Sequence, residues 1–469
     1  MKRFRRTAAI LTGALLALAV VSSFLVLDTV DHTPYFRTSY YEQTSARLRA
    51  SAATNVIARG ELHAGFGRAK LTPQIGAAQD DPQNGKFRSM PLAGYGDRRG
   101  RPATGVHDDL FVKAVALRVG DQLGVMFGAD ALIIPREVAD LAAAELATQG
   151  LRREQLYFSA THTHCSLGGW GEGFVGEAFA GDFDPGARLW FAQCLVSAAR
   201  AALGDLQPAE FGAGVFAAPD LVRNRLVGEL GQIDPDFSYA VLKQAAGITA
   251  VLGSFSAHAT VLSGRIMEFS GDYPGYWQRA VEAETGGLAL FLAGCVGSHA
   301  PVPGESGFAG AERIGQELSN RLLAQLPQTA LTNAIAFGLL GLDVSLPAFH
   351  TRVTDGIRLR PWLSARLLQQ PRDSFLQGFR LDRSLWISTP CDFSGELALD
   401  IKAFTQLRGF TTAITSFNGD YIGYVIPSRY YHLPGYEPRL MSFYGPAIPE
   451  YLDELIRTVA LDLTDGPID

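Results

Sequence analysis

The chain has 469 residues, of which 47% are hydrophobic, so it can build a large core in one long α/β domain or in two or three smaller domains. Its formal net charge is −6. Basic residues form a run only at the extreme N-terminus, which argues against nucleic acid as a partner.

The N-terminus has the pattern of an export signal. Four of the first six residues are basic, and residues 7–27 carry no charge, which is close to the roughly 20 residues that cross a bilayer. The basic flank predicts a cytoplasmic N-terminus, with residues 50–469 outside the cytoplasm. Because no small-residue cleavage motif precedes Asp28, we expect an uncleaved transmembrane signal anchor, with a cleaved signal peptide as the alternative. A polar connector over residues 28–60 and a folded domain over residues 61–469 would follow.

The rest of the chain alternates between two hydrophobic periodicities. Apolar and β-branched runs predict strands over residues 65–73, 110–119, 123–127, 156–158, 248–256, 288–292, 340–346, 385–388 and 411–416. Apolar residues at helical spacing predict helices over residues 135–149, 188–203, 274–285, 311–326 and 449–461. The alternation predicts an α/β fold with a mixed β-sheet core flanked by helices. Polar residues follow several strands, so we expect the functional site at the strands' carboxyl ends.

The strongest local signal is a histidine pair. Residues 159–169 read Ser-Ala-Thr-His-Thr-His-Cys-Ser-Leu-Gly-Gly and follow a short apolar run. In an extended segment the side chains of His162 and His164 would lie on the same face. Neutral imidazole is a good ligand for zinc and similar metals. The alternative is a pair of loop histidines that bond to the backbone, and the pair alone leaves both interpretations open.

The sequence has four cysteines, at positions 165, 194, 295 and 391. They form no Cys-x-x-Cys motif, which argues against a structural zinc knuckle. An exported chain could pair some of them, and three complete pairings are open. Inert packing is the alternative.

Five further segments strengthen the metal hypothesis. Residues 256–260 read Ser-Ala-His-Ala-Thr, residues 270–276 Ser-Gly-Asp-Tyr-Pro-Gly-Tyr, residues 390–393 Pro-Cys-Asp-Phe, residues 421–425 Tyr-Ile-Gly-Tyr-Val, and residues 444–446 Tyr-Gly-Pro. With the His-Thr-His segment they resemble, in the same order, the motifs of the neutral/alkaline non-lysosomal ceramidases. The resemblance runs from about residue 65 to residue 461.

The resemblance implies a zinc site and an activity. It implies that His164, His258, Asp392 and Tyr424 hold one Zn²⁺ ion. The family has Glu at the Asp392 position, so Glu396 is a second candidate for the carboxylate ligand. It further implies hydrolysis of an amide by zinc-activated water, with Tyr424 stabilising the oxyanion.

One departure from the family concerns its catalytic serine, which stands in a Gly-Asp-Val-Ser-Pro motif. The matching residues 297–301 read Gly-Ser-His-Ala-Pro, so Ala300 takes the serine's place. Ser298, two positions away, is then the nearest hydroxyl and a candidate catalytic residue. Full-length ceramidases also have an immunoglobulin-like C-terminal domain, for which we expect no counterpart before Asp469.

Several other residues are candidates for supporting roles. His162 is expected to act in catalysis by orienting the site through a bond to a carboxylate such as Asp130 or Asp272. His107, Asp272 and Arg225 are candidate substrate-binding residues; Arg225 suits a carboxylate or phosphate. The alternatives are a turn residue for His107 and a structural salt bridge for Arg225.

The sequence therefore predicts a membrane-anchored, zinc-dependent amidohydrolase whose catalytic domain lies outside the cytoplasm and acts on a lipid-like amide. One alternative is a non-catalytic or diverged envelope protein on the same scaffold, suggested by Ala300. Another is a zinc hydrolase that acts on a non-lipid amide or an ester.

Overall fold

A computed structural model describes residues 24–368 and 372–464, together with residues 4, 7 and 10–12. The fold predicted from the sequence included a transmembrane helix over residues 7–27, and this part of the prediction is wrong. None of the helices in the described residues has the length and apolar character that crossing a membrane requires. Most of that segment lies outside the described residues. Its last residue begins a strand, in which Leu27–Thr29 pairs with Ile357–Leu359.

Strands and helices alternate along the described chain. The strands are β1 (Leu27–Thr29), β2 (Ile57–Lys70), β3 (Gly105–Val106), β4 (Phe111–Val119), β5 (Gln122–Ala129), β6 (Leu156–Tyr157), β7 (Gln207–Ala217), β8 (Val222–Asn224), β9 (Asp236–Gln244), β10 (Thr249–Phe255), β11 (Glu268–Phe269), β12 (Leu288–Ala293), β13 (His299–Pro301), β14 (Ala334–Ser345), β15 (Ile357–Leu359), β16 (Asp373–Leu381), β17 (Ser384–Thr389), β18 (Asp392–Phe393), β19 (Thr411–Ser416) and β20 (Tyr424–Val425).

The helices are α1 (Ser39–Thr54), α2 (Arg136–Ala147), α3 (Gly173–Ala180), α4 (Pro185–Gly204), α5 (Asp272–Thr285), α6 (Gly307–Gln325), α7 (Pro361–Leu368), α8 (Gly395–Gln406) and α9 (Ile448–Leu463). The predicted mixed α/β architecture is confirmed. The strand predicted over residues 411–416 is β19, and the helix predicted over residues 188–203 is the central part of α4.

In the described residues, twelve strands form one mixed sheet. Its main path runs β12-β10-β9-β7-β2-β14-β16-β17-β19, and β4, β5 and β6 continue from β2. Most neighbours are antiparallel. The parallel pairs of this sheet are β5 with β6, β10 with β12, and β17 with β19. Each parallel pair sends two chain segments out at the same edge, which is where α/β sheets place their sites.

Three strands end against one another at that edge. The N–H of Ala293, the last residue of β12, donates to Ala160 O at 2.9 Å. The Ser159 hydroxyl donates to Ser416 O at 2.9 Å, and the Ser416 hydroxyl donates to Gly294 O at 2.8 Å. The segments that leave β6, β12 and β19 therefore start from one point in the fold.

Helices pack against the sheet and help to bury its apolar side chains. The most extensive contact of a helix with the sheet is that of α4 with β2 and β4. A Cβ at Gly65 or Gly67 of β2 would overlap the carbonyl oxygens of Ala202 or Ala198 in α4. Only glycine permits this contact, because the helix backbone lies directly on the strand.

The predicted connector is packed against the sheet in its described part. In α1, the Thr44 hydroxyl accepts a hydrogen bond from Ser345 N at 2.8 Å and another from the Tyr451 hydroxyl at 2.7 Å. The Tyr35 and Tyr41 hydroxyls both donate to the Glu454 carboxylate in α9. The boundary between connector and domain at residue 60 stays a prediction.

Candidate metal centre

Three histidines from two segments converge at the edge of the sheet. The Nε2 atom of His258 lies 2.8 Å from the Nε2 atom of His162 and 3.1 Å from that of His164. His162 and His258 are almost completely buried, and His164 is partly buried. Three imidazole nitrogens at this spacing form a potential metal site.

The hydrogen bonds of the rings indicate where their protons are. His162 Nδ1 lies 2.6 Å from Leu132 O, and a carbonyl can only accept, so Nδ1 carries the proton. The lone pair of His162 Nε2 then points at His258. Burial lowers the pKa of His162 to about 3 and the pKa values of His164 and His258 well below the ordinary range. The rings are therefore neutral at pH 7, as metal ligands must be.

Asp392 lies beside the three histidines. Its Oδ1 atom lies 3.4 Å from His162 Nε2 and 3.8 Å from His258 Nδ1. Its Oδ2 atom accepts a hydrogen bond from the Tyr421 hydroxyl at 2.8 Å, whereas Oδ1 has no hydrogen-bond donor among the described residues. Burial raises the pKa of Asp392 to about 7, against the lowering effects of Tyr421 and Arg225. An unpaired, fully buried carboxylate oxygen is costly unless a cation binds it.

The three imidazole nitrogens fit a zinc ion, and the Asp392 carboxylate lies beside them. Three imidazole nitrogens and one carboxylate oxygen are ligands that zinc takes in proteins. Ligand atoms around a tetrahedral zinc lie about 3.3 Å apart, because Zn–N and Zn–O bonds are about 2.0–2.2 Å. The observed separations of 2.8, 3.1 and 3.4 Å are close to that spacing.

Local backbone features place the two histidines of the His-Thr-His segment. His162 has φ of +63°, and its ring stacks on Phe417, which has φ of +69°, with centroids 4.1 Å apart. Such left-handed residues cost of order 1–3 kcal/mol each and cluster at functional sites. At Gly94, which has φ of +115°, a Cβ would lie 2.7 Å from the His164 ring. The buried Arg98 guanidinium donates to the His164 carbonyl and fixes that backbone.

Tyr424 lies beside Asp392 because β18 and β20 are parallel and pair these two residues. The Arg225 Nη2 atom donates to the Tyr424 hydroxyl oxygen at 3.0 Å, and Arg225 Nε lies 3.0 Å from Glu437 Oε1. Burial and the neighbouring Asp392 raise the pKa of Tyr424 well above its ordinary value. Tyr424 thus keeps its proton and can donate it to a ligand.

A cavity of about 390 Å³ opens onto this group. His162, His164, Asp392, Tyr421 and Tyr424 line it on one side. Other lining side chains are large and apolar: Leu132, Ile133, Trp170, Phe174, Val175, Phe179 and Leu367. A few charged groups, Arg136, Glu137, Glu172 and Asp420, also line it. The cavity can therefore take a ligand that has both an apolar part and a polar part.

Solved structures of ceramidases share this fold. The neutral ceramidase from Pseudomonas aeruginosa superposes with a TM-score of 0.71 at 18% sequence identity, over 87% of this chain and 76% of that chain. A ceramidase complexed with C2 superposes with a TM-score of 0.71 at 19% identity, with the same coverage. The fold is ceramidase-like. No protein-family model matches the sequence, and no curated protein matches it at a significant level.

Within this ceramidase-like fold, His162 has a different hydrogen-bond partner from the one predicted. The sequence predicts a bond to Asp130 or Asp272, but His162 Nδ1 bonds Leu132 O. Asp130 accepts from Phe111 N and Gln278 Nε2 instead, and Asp272 accepts from Leu262 N and Tyr273 N. The reason is the left-handed turn at His162, which directs Nε2 toward His258. His162 thereby joins the possible ligands.

Two of the predicted substrate-binding residues lie apart from the cavity lining. His107 Nε2 lies 2.9 Å from the Tyr276 hydroxyl, and the His107 ring stacks on Phe308. Asp272 is completely buried at the start of α5, where its carboxylate accepts backbone N–H groups. Arg225 does reach the site, through Tyr424. The substrate-binding roles of these residues stay predictions.

The second candidate for the carboxylate ligand, Glu396, has other partners. Its carboxylate accepts from Asn224 Nδ2 at 2.7 Å and forms an ion pair with Arg429. Asp392 is thus the carboxylate that the structure brings to the histidines.

The segment that carries Ala300 and Ser298 is buried. Ala300 lies in β13, opposite Arg223 of β8. The Ser298 hydroxyl is 2.8 Å from His299 Nδ1 and 2.7 Å from the Ser394 hydroxyl. Ser298 is fully buried and is not among the described residues that line the cavity. Its catalytic role stays a prediction.

All four cysteines lie in the described part of the chain, and each is a free, buried thiol. Burial raises the pKa of the Cys165 thiol to about 12. A protonated, buried thiol behaves as a small apolar side chain, so the structure supports packing as the role of these residues.

Sequence reasoning missed several residues that shape the site. The Tyr421 hydroxyl bonds Asp392, and the Phe417 ring stacks on His162, yet neither residue was predicted from the sequence to belong to the site. Tyr421 belongs to one of the quoted motifs and could have been found there. Arg98 had no sequence signal, because its donors reach backbone carbonyls of segments far along the chain.

Proposed function

We propose that this chain is a zinc-dependent hydrolase that cleaves an amide bond in a lipid-like substrate. The observation that carries the proposal is the convergence of three neutral imidazole Nε2 atoms, with an unpaired carboxylate oxygen of Asp392 beside them, at a cavity whose lining is partly apolar. The ceramidase-like fold supports it, because the neighbouring structures are named as ceramidases.

The zinc ion would be held by His162, His164, His258 and Asp392. When bound there, zinc would lower the pKa of a water molecule toward about 7 and polarise a carbonyl group. This ligand set differs from the one expected from the sequence, because it adds His162. The sequence also predicts Tyr424 as a ligand, and the zinc content of a Tyr424→Phe variant tests that prediction.

The chain's own groups would assist the reaction in distinct ways. Tyr424, protonated and held by Arg225, would donate a hydrogen bond to the oxygen on which negative charge develops. Tyr421 would orient the Asp392 carboxylate through its hydroxyl. The apolar wall around Trp170 and Phe179 would receive an acyl chain and exclude bulk water.

The attacking group would be water rather than a side chain. Ala300 stands where the resemblance places a serine, and alanine cannot attack. Ser298 is the hydroxyl nearest in sequence, but it is buried in hydrogen bonds to His299 and Ser394. A metal-activated water needs neither residue.

The test is hydrolysis of a panel of N-acyl amides by the zinc-loaded protein. The panel varies acyl length and head group and includes short peptides and an ester of matched size. We expect long-chain N-acyl amides to be cleaved, with activity lost on chelation and restored by zinc. Cleavage of only the peptides or the ester would identify a non-lipid substrate. No cleavage by a protein that binds zinc would favour the non-catalytic alternative suggested by Ala300.

We further propose that the folded region lies outside the cytoplasm. The basic residues ahead of the uncharged stretch of residues 7–27 support this. A reporter enzyme that is active only outside the cytoplasm, fused after Asp469, should be active. Activity of a cytoplasm-specific reporter alone would contradict it.

A further inference from the structure

A buried chain of hydrogen bonds runs behind the candidate metal centre. The Asp234 N–H donates to His299 Nε2 at 2.7 Å. His299 Nδ1 is 2.8 Å from the Ser298 hydroxyl, which is 2.7 Å from the Ser394 hydroxyl. All four residues are completely buried. We call Asp234, His299, Ser298 and Ser394, together with Ser256 and Lys402, the His299 array.

The second branch of the array starts at the Asp234 carboxylate. Its Oδ2 atom accepts from the Ser256 hydroxyl at 2.6 Å, and its Oδ1 atom accepts from Lys402 Nζ at 2.6 Å. The Ser256 hydroxyl in turn accepts from Cys295 N at 3.1 Å. Ser256 stands two residues before His258, so this branch ends at the segment that carries one candidate ligand.

The first branch ends at the segment that carries another candidate ligand. Ser394 stands two residues after Asp392, and its hydroxyl also accepts from Glu396 N at the start of α8. The Gly297 N–H donates to Phe393 O at 2.9 Å. A Cβ at Gly297 would overlap the Asp392 carbonyl oxygen, so the segment before His299 lies directly on the segment of Asp392.

The direction of every hydrogen bond around His299 is determined. A backbone N–H can only donate, so His299 Nε2 accepts, and Nδ1 carries the ring proton. Nδ1–H therefore donates to the Ser298 oxygen, and the Ser298 and Ser394 hydroxyls share a hydrogen bond in which either can be the donor. His299 thus has no lone pair with which to deprotonate Ser298. The geometry excludes a Ser298–His299 nucleophile and leaves the array with a different role.

We propose that His299 is a positioning residue that fixes the relative placement of Asp392 and His258. It acts on Asp392 through Ser298 and Ser394, and on His258 through Asp234 and Ser256. This rests on the proposed function, because those two ligands matter together only if they share a metal. Removing a bond in the array should let one ligand shift without unfolding the chain. Groups that orient ligands in this way typically contribute 10–100-fold to metal affinity.

The experiment compares His299→Gln and Ser298→Ala with the wild type and with Thr405→Val. The amide oxygen of the introduced glutamine can still accept from Asp234 N, but the donor to Ser298 is lost. Thr405→Val is the matched control, because it removes another buried hydroxyl, in α8, whose bonds to Ile401 O, Lys402 O and the Thr412 hydroxyl include none of the array's side-chain hydrogen bonds. Zinc affinity is measured by competition with a chelator, the melting temperature by calorimetry, and the ligand geometry from the visible spectrum of the cobalt(II) form.

We expect both array variants to bind zinc at least about tenfold more weakly and to change the cobalt(II) spectrum. The control should lower the melting temperature by a similar amount and leave zinc affinity and spectrum unchanged. If the array variants match the control in all three measurements, the array is merely structural and the inference is wrong. If the wild type itself binds neither metal, the proposed function fails together with it.

Discussion

The Nε2 atoms of His162 and His258 lie 2.8 Å apart, while the Nδ1 proton of His162 is bonded to Leu132 O. The Nε2 lone pair of His162 therefore faces a second imidazole nitrogen in a buried setting. His258 Nδ1 faces Val296 O at 3.4 Å, which favours a proton on Nδ1 there too. Two lone pairs at this distance repel unless a cation binds both, and this relationship supports the proposal that His162 is a ligand.

The first prediction follows from that geometry. His162→Ala should abolish tight zinc binding as completely as His258→Ala does, because each variant removes one of only about four ligands. His107→Ala, which removes a histidine bonded to Tyr276, is the control and should keep one zinc per chain. Zinc bound after dialysis is measured by atomic spectrometry. Near-normal zinc in His162→Ala would return His162 to the orienting role predicted from the sequence.

The second prediction separates the two candidate carboxylates. Asp392→Asn should weaken zinc binding, since it removes the negative charge nearest the histidines while keeping an oxygen that coordinates poorly. Glu396→Gln should leave zinc affinity unchanged and lower stability, because it disrupts the ion pair with Arg429. Both affinities are measured by chelator competition. The opposite order of effects would make Glu396 the ligand.

Part of the secondary structure was predictable because apolar periodicity reports burial directly, whereas β7, β9, β16 and α8 were not predicted. The run over residues 411–416 is β-branched and apolar and is β19 in the structure. The sequence also identified the histidine pair, but it did so by assuming that the segment is extended. The segment after β6 does not continue as a strand, and His162 reaches the site through a left-handed turn that alternation cannot predict.

The remaining site depends on contacts between distant segments. Phe417 stacks on His162, and Tyr421 bonds Asp392, because β6, β17 and β19 lie in the same sheet. Nothing in the local sequence of these residues reports that pairing. The predicted transmembrane helix failed for the same reason. The composition of residues 7–27 does not report that Leu27–Thr29 pairs as a strand with the distant segment Ile357–Leu359.

The third prediction concerns Tyr424. Tyr424→Phe should lower kcat by on the order of 100-fold or more, because it removes the proposed oxyanion donor. Retention of zinc in this variant would show that Tyr424 acts on the substrate, whereas loss of zinc would make it a ligand. Tyr430→Phe removes a hydroxyl that bonds Glu396 and is the matched control. A Tyr424→Phe variant with full activity would contradict both predicted roles.

The fourth prediction is a pH dependence of stability. Burial lowers the pKa of His299 to about 4, compared with about 6.5 in an unfolded chain. Between these values the unfolded state binds more protons, so the stability that neutral His299 contributes is complete above about pH 6.5 and is lost as the pH falls toward 4. The stability gap between the wild type and His299→Gln should shrink over that window by up to about 3 kcal/mol.

Urea unfolding of the metal-free proteins between pH 7 and pH 4 measures this gap. Thr405→Val removes no titrating group, so its gap to the wild type should stay constant over the same range. If the difference in unfolding free energy between the wild type and His299→Gln stays constant, His299 titrates normally in the folded chain, in conflict with its complete burial.

The most direct measurement of the central claim is the metal content and zinc response of the purified wild-type protein. We predict one zinc ion per chain after dialysis, loss of that ion in His258→Ala, and a higher melting temperature of the stripped wild type when zinc is added back. If the wild type retains no transition metal, and added zinc changes neither its stability nor its activity, then His162, His164, His258 and Asp392 do not form a metal centre.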